Sequence, residues 1–250
     1  MKYWILLLAV GIVQLSCQNG DGRGQQKEQH LANESSDTLS RVNELTLAIR
    51  ENPKDPELYF QRANAHIQDK MLLLALDDVN RAISADSLNS AYHALKGEIQ
   101  YLNKKPAKAV ESYEKALELN PDNTDALLKM AEIKLLLRQY QDCFDLANKA
   151  LRVNEQLYMA YFIKGYAHYE LGDSNLFVSS VQTALELNPN FYDGYVMLGS
   201  FYASLDSELA LDYYNSALEV RPDDGEALYG KAIFLQNQGR IDEALELYQY

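Results

Sequence analysis

The residues able to do chemistry are few and scattered. Histidine occurs four times, at His30, His66, His93 and His168, and cysteine twice, at Cys17 and Cys143. An imidazole can ligate a metal or move a proton near neutral pH, and a thiolate can attack or ligate. Either role needs partners at a short, regular spacing, yet the chain has no HExxH, GxSxG, CxxC or Walker-type glycine loop. Acidic residues number 36 against 23 lysines and arginines, a formal charge of −13. Carboxylates in such excess solvate helix exteriors and repel phosphate backbones, so nucleic acid is not an expected partner. No catalytic residue, metal site or cofactor is predicted, and the chain reads as something other than an enzyme.

The two cysteines have different settings, so no disulfide is expected. Lys2 precedes an apolar run from Trp4 to Val13, followed by small Ser16 and then Cys17. Ten apolar residues suit the core of a signal peptide and fall short of the roughly 20 needed to span a bilayer. Residues 18–37, QNGDGRGQQKEQHLANESSD, are almost free of apolar side chains and read as a flexible tether reaching roughly 25 Å r.m.s.. His30 lies in it as a solvated residue. The arrangement resembles the lipobox of bacterial lipoproteins, with Gln14 where that family usually has an aliphatic residue three places before the cysteine. The resemblance implies a signal peptide over 1–16, lipidation of Cys17 with fatty acyl (palmitate-type) chains, and a lipid-anchored tether over 17–37. Gln18 is not the aspartate associated with inner-membrane retention, which points to the outer membrane, on its periplasmic or surface side.

Beyond the tether the chain repeats itself. Alanine recurs at positions 48, 82, 116, 150, 184 and 217, at spacings of 34, 34, 34, 34 and 33. Proline follows five residues after four of them, at 53, 121, 189 and 222. A period of this length marks stacked supersecondary units. In AVESYEKALELNP, residues 109–121, Ala109, Tyr113 and Ala116 fall on one face of a helix, and Pro121 stops it. An earlier helix in each unit carries a small residue at 63, 97, 131, 165, 199 or 232, which allows close approach to a second helix bearing Ala75, Ala109, Ala210 or Ala244.

These residues resemble the tetratricopeptide repeat (TPR). The resemblance covers 56–89, 90–123, 124–157, 158–191 and 192–224 as complete units, with 225–250 a partial sixth and 38–55 a half-unit helix. The fifth is one residue short, around Leu205-Asp206-Ser207. It implies an all-α, right-handed superhelical solenoid of helix-turn-helix repeats, with a concave face built mainly from the first helix of each unit. Cys143 and Phe177 replace the alanine of the tight inter-helix contact, which predicts looser packing in units three and four. His66 and His168 fall at the aromatic position of the first helix and His93 at its bulky position, so packing is the expected role of all three. Cys143 is expected to be a buried, inert thiol.

The family's inward positions are occupied by Phe60, Asn64 and Ile67; Ala94, Glu98 and Tyr101; Leu128, Glu132 and Leu135; Phe162, Tyr166 and Tyr169; Val196 and Ser200; and Tyr229 and Ile233. Phe60, Asn64, Tyr101, Phe162, Tyr166, Tyr169 and Tyr229 are the predicted partner contacts. Phe162, Tyr166 and Tyr169 form one stripe along a helix, which serves either recognition, where tyrosine is favoured, or packing between units. Phe60 and Leu95 stand where carboxylate-clamping members of the family carry lysine and asparagine, so that mode is not expected. The groove suits an amphipathic helix or an extended peptide. Met71-Leu72-Leu73-Leu74 is unusually apolar for a turn and reads as extra packing or as a docking knob. Leu245, Leu247 and Tyr248 close the chain on an apolar helix, which self-association, a partner or further chain would cover. The expectation is a scaffold or adaptor lipoprotein that binds a protein or peptide in the bacterial cell envelope. The alternative is a glycan- or nutrient-binding outer-membrane lipoprotein using the same aromatics.

Overall fold

A computed structural model describes residues 40–248. The signal segment 1–16, Cys17, His30 and the tether over 17–37 lie outside the described residues. Within them are thirteen helices and no strand. Helix α1 covers 40–51. Six hairpins follow: α2 (Pro56–Gln68) with α3 (Leu72–Ala85), α4 (Ser90–Leu102) with α5 (Pro106–Leu119), and α6 (Thr124–Leu136) with α7 (Tyr140–Val153). The remainder are α8 (Tyr158–Glu170) with α9 (Ser174–Leu187), α10 (Tyr192–Ser204) with α11 (Leu209–Val220), and α12 (Gly225–Asn237) with α13 (Ile241–Leu247). No helix among the described residues is long and apolar enough to cross a membrane.

Local chemistry sets the boundaries. Asp55, Asn89, Asn123 and Asp224 each accept a backbone N–H of the following first helix through the side chain, which satisfies a donor the helix leaves open. Each first helix ends through a residue in the left-handed region: Lys70, Lys104, Arg138, Gly172, Asp206 and Gly239. Its neighbours close the turn with bonds such as Met71 N to His66 O at 2.8 Å. The residue missing from the fifth unit is taken from its second helix. Helix α11 has 12 residues, whereas α3, α5, α7 and α9 have 14 each.

Hairpins stack in order. Each second helix packs on the next first helix, and first helices of neighbouring units touch at α2–α4, α4–α6, α6–α8 and α10–α12, so they line one face of the right-handed solenoid. The repeating alanines from Ala82 to Ala217 are fully buried. Helix α1 joins the array through buried Leu45 and Ile49 and through Thr46, whose hydroxyl accepts from Arg62 at 3.0 Å.

Cys143 and Phe177, where looser packing is expected, are both 0% exposed. Compensation happens within each unit among three positions. Phe177 on α9 lies against Gly165 of the facing α8 and one turn before Val181 of its own helix, and Cys143 on α7 clusters with Ala131 of the facing α6 and with Ala147 of its own helix. The small first-helix residue also faces a different partner from the one its spacing suggested. A Cβ on Gly97 would sit 2.6 Å from the Tyr113 ring, and one on Gly199 2.9 Å from the Tyr214 ring. The glycine makes room for an aromatic four residues beyond the expected alanine.

Candidate groove on the concave face

The first helices of units one to three frame a pocket of about 290 Å³. Its walls come from α2 (Phe60, Asn64), α4 (Ala91, Ala94, Leu95, Glu98) and α6 (Asp125, Leu128, Lys129, Glu132), with Tyr113 from α5 and Met159 from α8. Regular helical spacing puts Phe60 and Asn64, Ala94 and Glu98, and Leu128 and Glu132 one turn apart on faces turned the same way. Phe60 leans on Tyr92, ring centroids 5.1 Å apart, and Asn64 donates to the Phe60 carbonyl at 2.9 Å. These bonds fix the rim before anything binds.

The floor is polar. Lys129 pairs with Glu132 at 3.0 Å, whereas Glu98 is half-buried and makes no hydrogen bond or ion pair among the described residues. Burial pushes the Glu98 carboxyl upward, and Asp125 and Glu132 add to the rise against the opposing pull of Lys129. Tyr113 is 1% exposed, and its hydroxyl has no hydrogen-bond partner. Burial, then the charges of Glu98, Glu132, Tyr101 and Asp125, raise its pKa.

The predicted contacts divide between two settings. Phe60 and Asn64 line the pocket, and Tyr101 lies exposed outside it. The stripe on α8 belongs largely to packing: Phe162 meets Phe191 edge-on at 4.8 Å, and Tyr169 meets Phe177 at 5.1 Å. Tyr169 keeps an exposed edge, and Tyr166 stays half-buried beside it. Tyr229 is exposed at the far end, near Tyr248. The structure therefore does not bring all seven into one surface. Sequence reasoning placed Tyr113 on a core face and missed its hydroxyl; the signal available was the pairing of Gly97 with a tyrosine one helix later.

Other reactive groups have structural settings. Arg62 donates to both oxygens of Asp78 at 2.7 Å, and His66 stands 3.7 Å from the same carboxylate. Burial is the main cause of the lowered pKa of His66, against the opposing pull of Asp78. His168 packs on Phe144, and burial pushes the Cys143 thiol up to about 11. Among the described residues no group of three His, Cys, Asp or Glu could hold a metal ion. Of Met71-Leu72-Leu73-Leu74, only Leu72 packs into the core, and the other three are exposed. At the last helix Leu245 and Tyr248 are exposed and Leu247 is half-buried.

Family models for the tetratricopeptide repeat match residues 90–123, 112–144, 160–191 and 195–250. The Hsp70-Hsp90 organizing protein 2 of Arabidopsis thaliana is 34% identical over 86 residues, 34% of this chain and 15% of that protein. The peroxisomal targeting signal receptor of Candida albicans is 27% identical over 170 residues, 61% of this chain and 27% of that one. The chain thus spans less than a third of either relative. Among solved structures, YrrB, described as a TPR protein with an unusual peptide-binding site, is 26% identical with a TM-score of 0.51, covering 75% of this chain and 97% of that one. PilW, a type IV pilus biogenesis factor, shares the fold at 19% identity, with a TM-score of 0.69 and 77% and 90% covered.

Proposed function

The chain belongs to the tetratricopeptide repeat family, and from that premise we propose that it is a lipid-anchored adaptor of the bacterial cell envelope that holds a protein or peptide segment in its concave groove. The observation that carries the reading is the open pocket across α2, α4 and α6, whose apolar rim and polar floor suit a chain segment. The likeness to a peptide-binding TPR protein supports it, and so does the repeat fold, which gives a long concave surface without a reactive constellation. Cys17 carries the anchoring part, through its place between an apolar run and a polar tether. The outer membrane is the proposed site, and the exposed apolar residues of α13 leave a second face for self-association.

A photoreactive phenylalanine analogue in place of Leu128 tests the groove in intact envelopes. A discrete cross-linked protein from position 128, and not from Glu118 on the second helix α5, is expected. Equal yields from the two positions, or none from 128, would sink the groove reading. The anchor is checked separately by labelling with radioactive palmitate: the label should be lost in Cys17→Ser, and its persistence would place the acyl chains elsewhere.

A further inference from the structure

The Tyr113 hydroxyl is the least economical group in the array. A buried hydroxyl without a partner opposes folding, and phenylalanine would fill the same space against Gly97 without that penalty. Unit five holds the matched control. Tyr214 occupies the same repeat position, and its hydroxyl lies 3.2 Å from Ser200. The residue equivalent to Ser200 in unit two is Glu98, itself unpaired. The residues equivalent to Lys129 and Glu132 in the last unit are Gly230 and Ile233. Gly230 lies so close that a Cβ there would be 2.8 Å from the Tyr214 hydroxyl, so that end is shut. Tyr113, its hydroxyl buried and without a partner, instead lines the pocket in which three carboxylates, Glu98, Asp125 and Glu132, face one ammonium, Lys129.

We propose that this pocket is a subsite for one lysine or arginine side chain of the bound segment, its head held by Glu98 beside the Tyr113 hydroxyl and its stem against Phe60, Leu128 and Met159. The inference rests on the groove reading above. Each part answers a feature of the pocket. A cation supplies N–H donors to an unpaired carboxylate and to a phenol oxygen. A hydrocarbon stem matches the apolar rim. The volume of about 290 Å³ has room for one long side chain. The chain's −13 charge favours encounter with a basic segment.

The test is a positional-scanning library of capped nine-residue peptides, each with one fixed residue, bound to the full chain and to Glu98→Gln and Tyr113→Phe, with circular dichroism confirming that both variants fold. Lysine or arginine at one position should bind about tenfold better than norleucine there, the size of one charge-assisted hydrogen bond. Each variant should erase most of that ratio while keeping preferences at the flanking positions. Peptides bound with no basic preference would overturn the subsite and leave the groove standing. A basic preference that survives both variants would place the cation elsewhere and overturn it too. Failure of any peptide to bind the unaltered chain would remove the groove and the subsite together.

Discussion

Tyr113 and Tyr214 occupy one repeat position and differ in nearly everything around the hydroxyl. Tyr214 is clamped between Gly199 and Gly230 and bonded to Ser200; Tyr113 has Gly97 on one side and a pocket with charged walls on the other. The rings do the same packing work, because each fills the space that a first-helix glycine leaves. The hydroxyls do not. In unit five the polar atom is bonded within the fold, and in unit two it is buried without a partner. A repeat array offers this contrast because its units share a backbone, so a polar group that one unit satisfies and another does not stands out against an internal reference.

The contrast can be broken most forcefully at Gly230. Gly230→Ala puts a carbon 2.8 Å from the Tyr214 ring and hydroxyl. Overpacking of this kind costs about 1–3 kcal/mol, against a helix-propensity gain of up to about 1 kcal/mol, so net destabilisation is expected in urea unfolding. Lys129→Ala, at the equivalent place beside Tyr113, should change stability by no more than about 0.5 kcal/mol, since its pair with Glu132 is partly exposed. Similar costs at the two sites would show that both are closed. Next in size is Ser200→Ala, which strips the Tyr214 hydroxyl of its partner and should cost about 1 kcal/mol. Tyr113→Phe removes a hydroxyl that bonds to nothing, so it should be neutral or stabilising by up to about 1 kcal/mol. A clear loss in Tyr113→Phe would mean the hydroxyl already has a partner in solution.

What was legible in the sequence follows the same division. The repeat and its all-helical fold were, because alanine and proline recur with the period of the fold and each acts through its own chemistry: close contact for Ala116, chain termination for Pro121. The left-handed turn residues were not, because four of the six are lysine, arginine or aspartate, which do not announce a positive φ. Phe60 and Asn64 were placed in the groove by register alone. The stripe of Phe162, Tyr166 and Tyr169 has the same register, yet Phe191, which precedes α10, packs on Phe162, and Phe177 of α9 packs on Tyr169 and leaves only part of that ring exposed. One helix shows which way a side chain points, and only its neighbours decide whether the space there is already filled. Phe177 shows the same limit. Its size predicted a gap, but the side chain is fully buried, with Gly165 of the facing helix close to its backbone.

Glu98 gives the subtlest test, because its effect is a matter of pH. Burial raises its folded-state pKa above the ordinary value of 4.5, so the folded chain holds that proton more firmly than the unfolded one. A carboxyl of this kind contributes stability that is fully present below its unfolded pKa and is lost as pH rises through the folded value. Ionising Glu98 therefore costs the fold stability. Glu98→Gln, which keeps the shape and removes the charge, should be more stable than the unaltered chain at pH 7, and the difference should shrink toward zero as pH falls to about 4. Ser200, its counterpart beside Tyr214, does not titrate, and substituting it should give a difference that is flat across the same range. If the Glu98→Gln difference were also flat, the carboxyl would be as well solvated as one on an outer face, and the pocket would lose the charge that sets it apart from the closed end of the array.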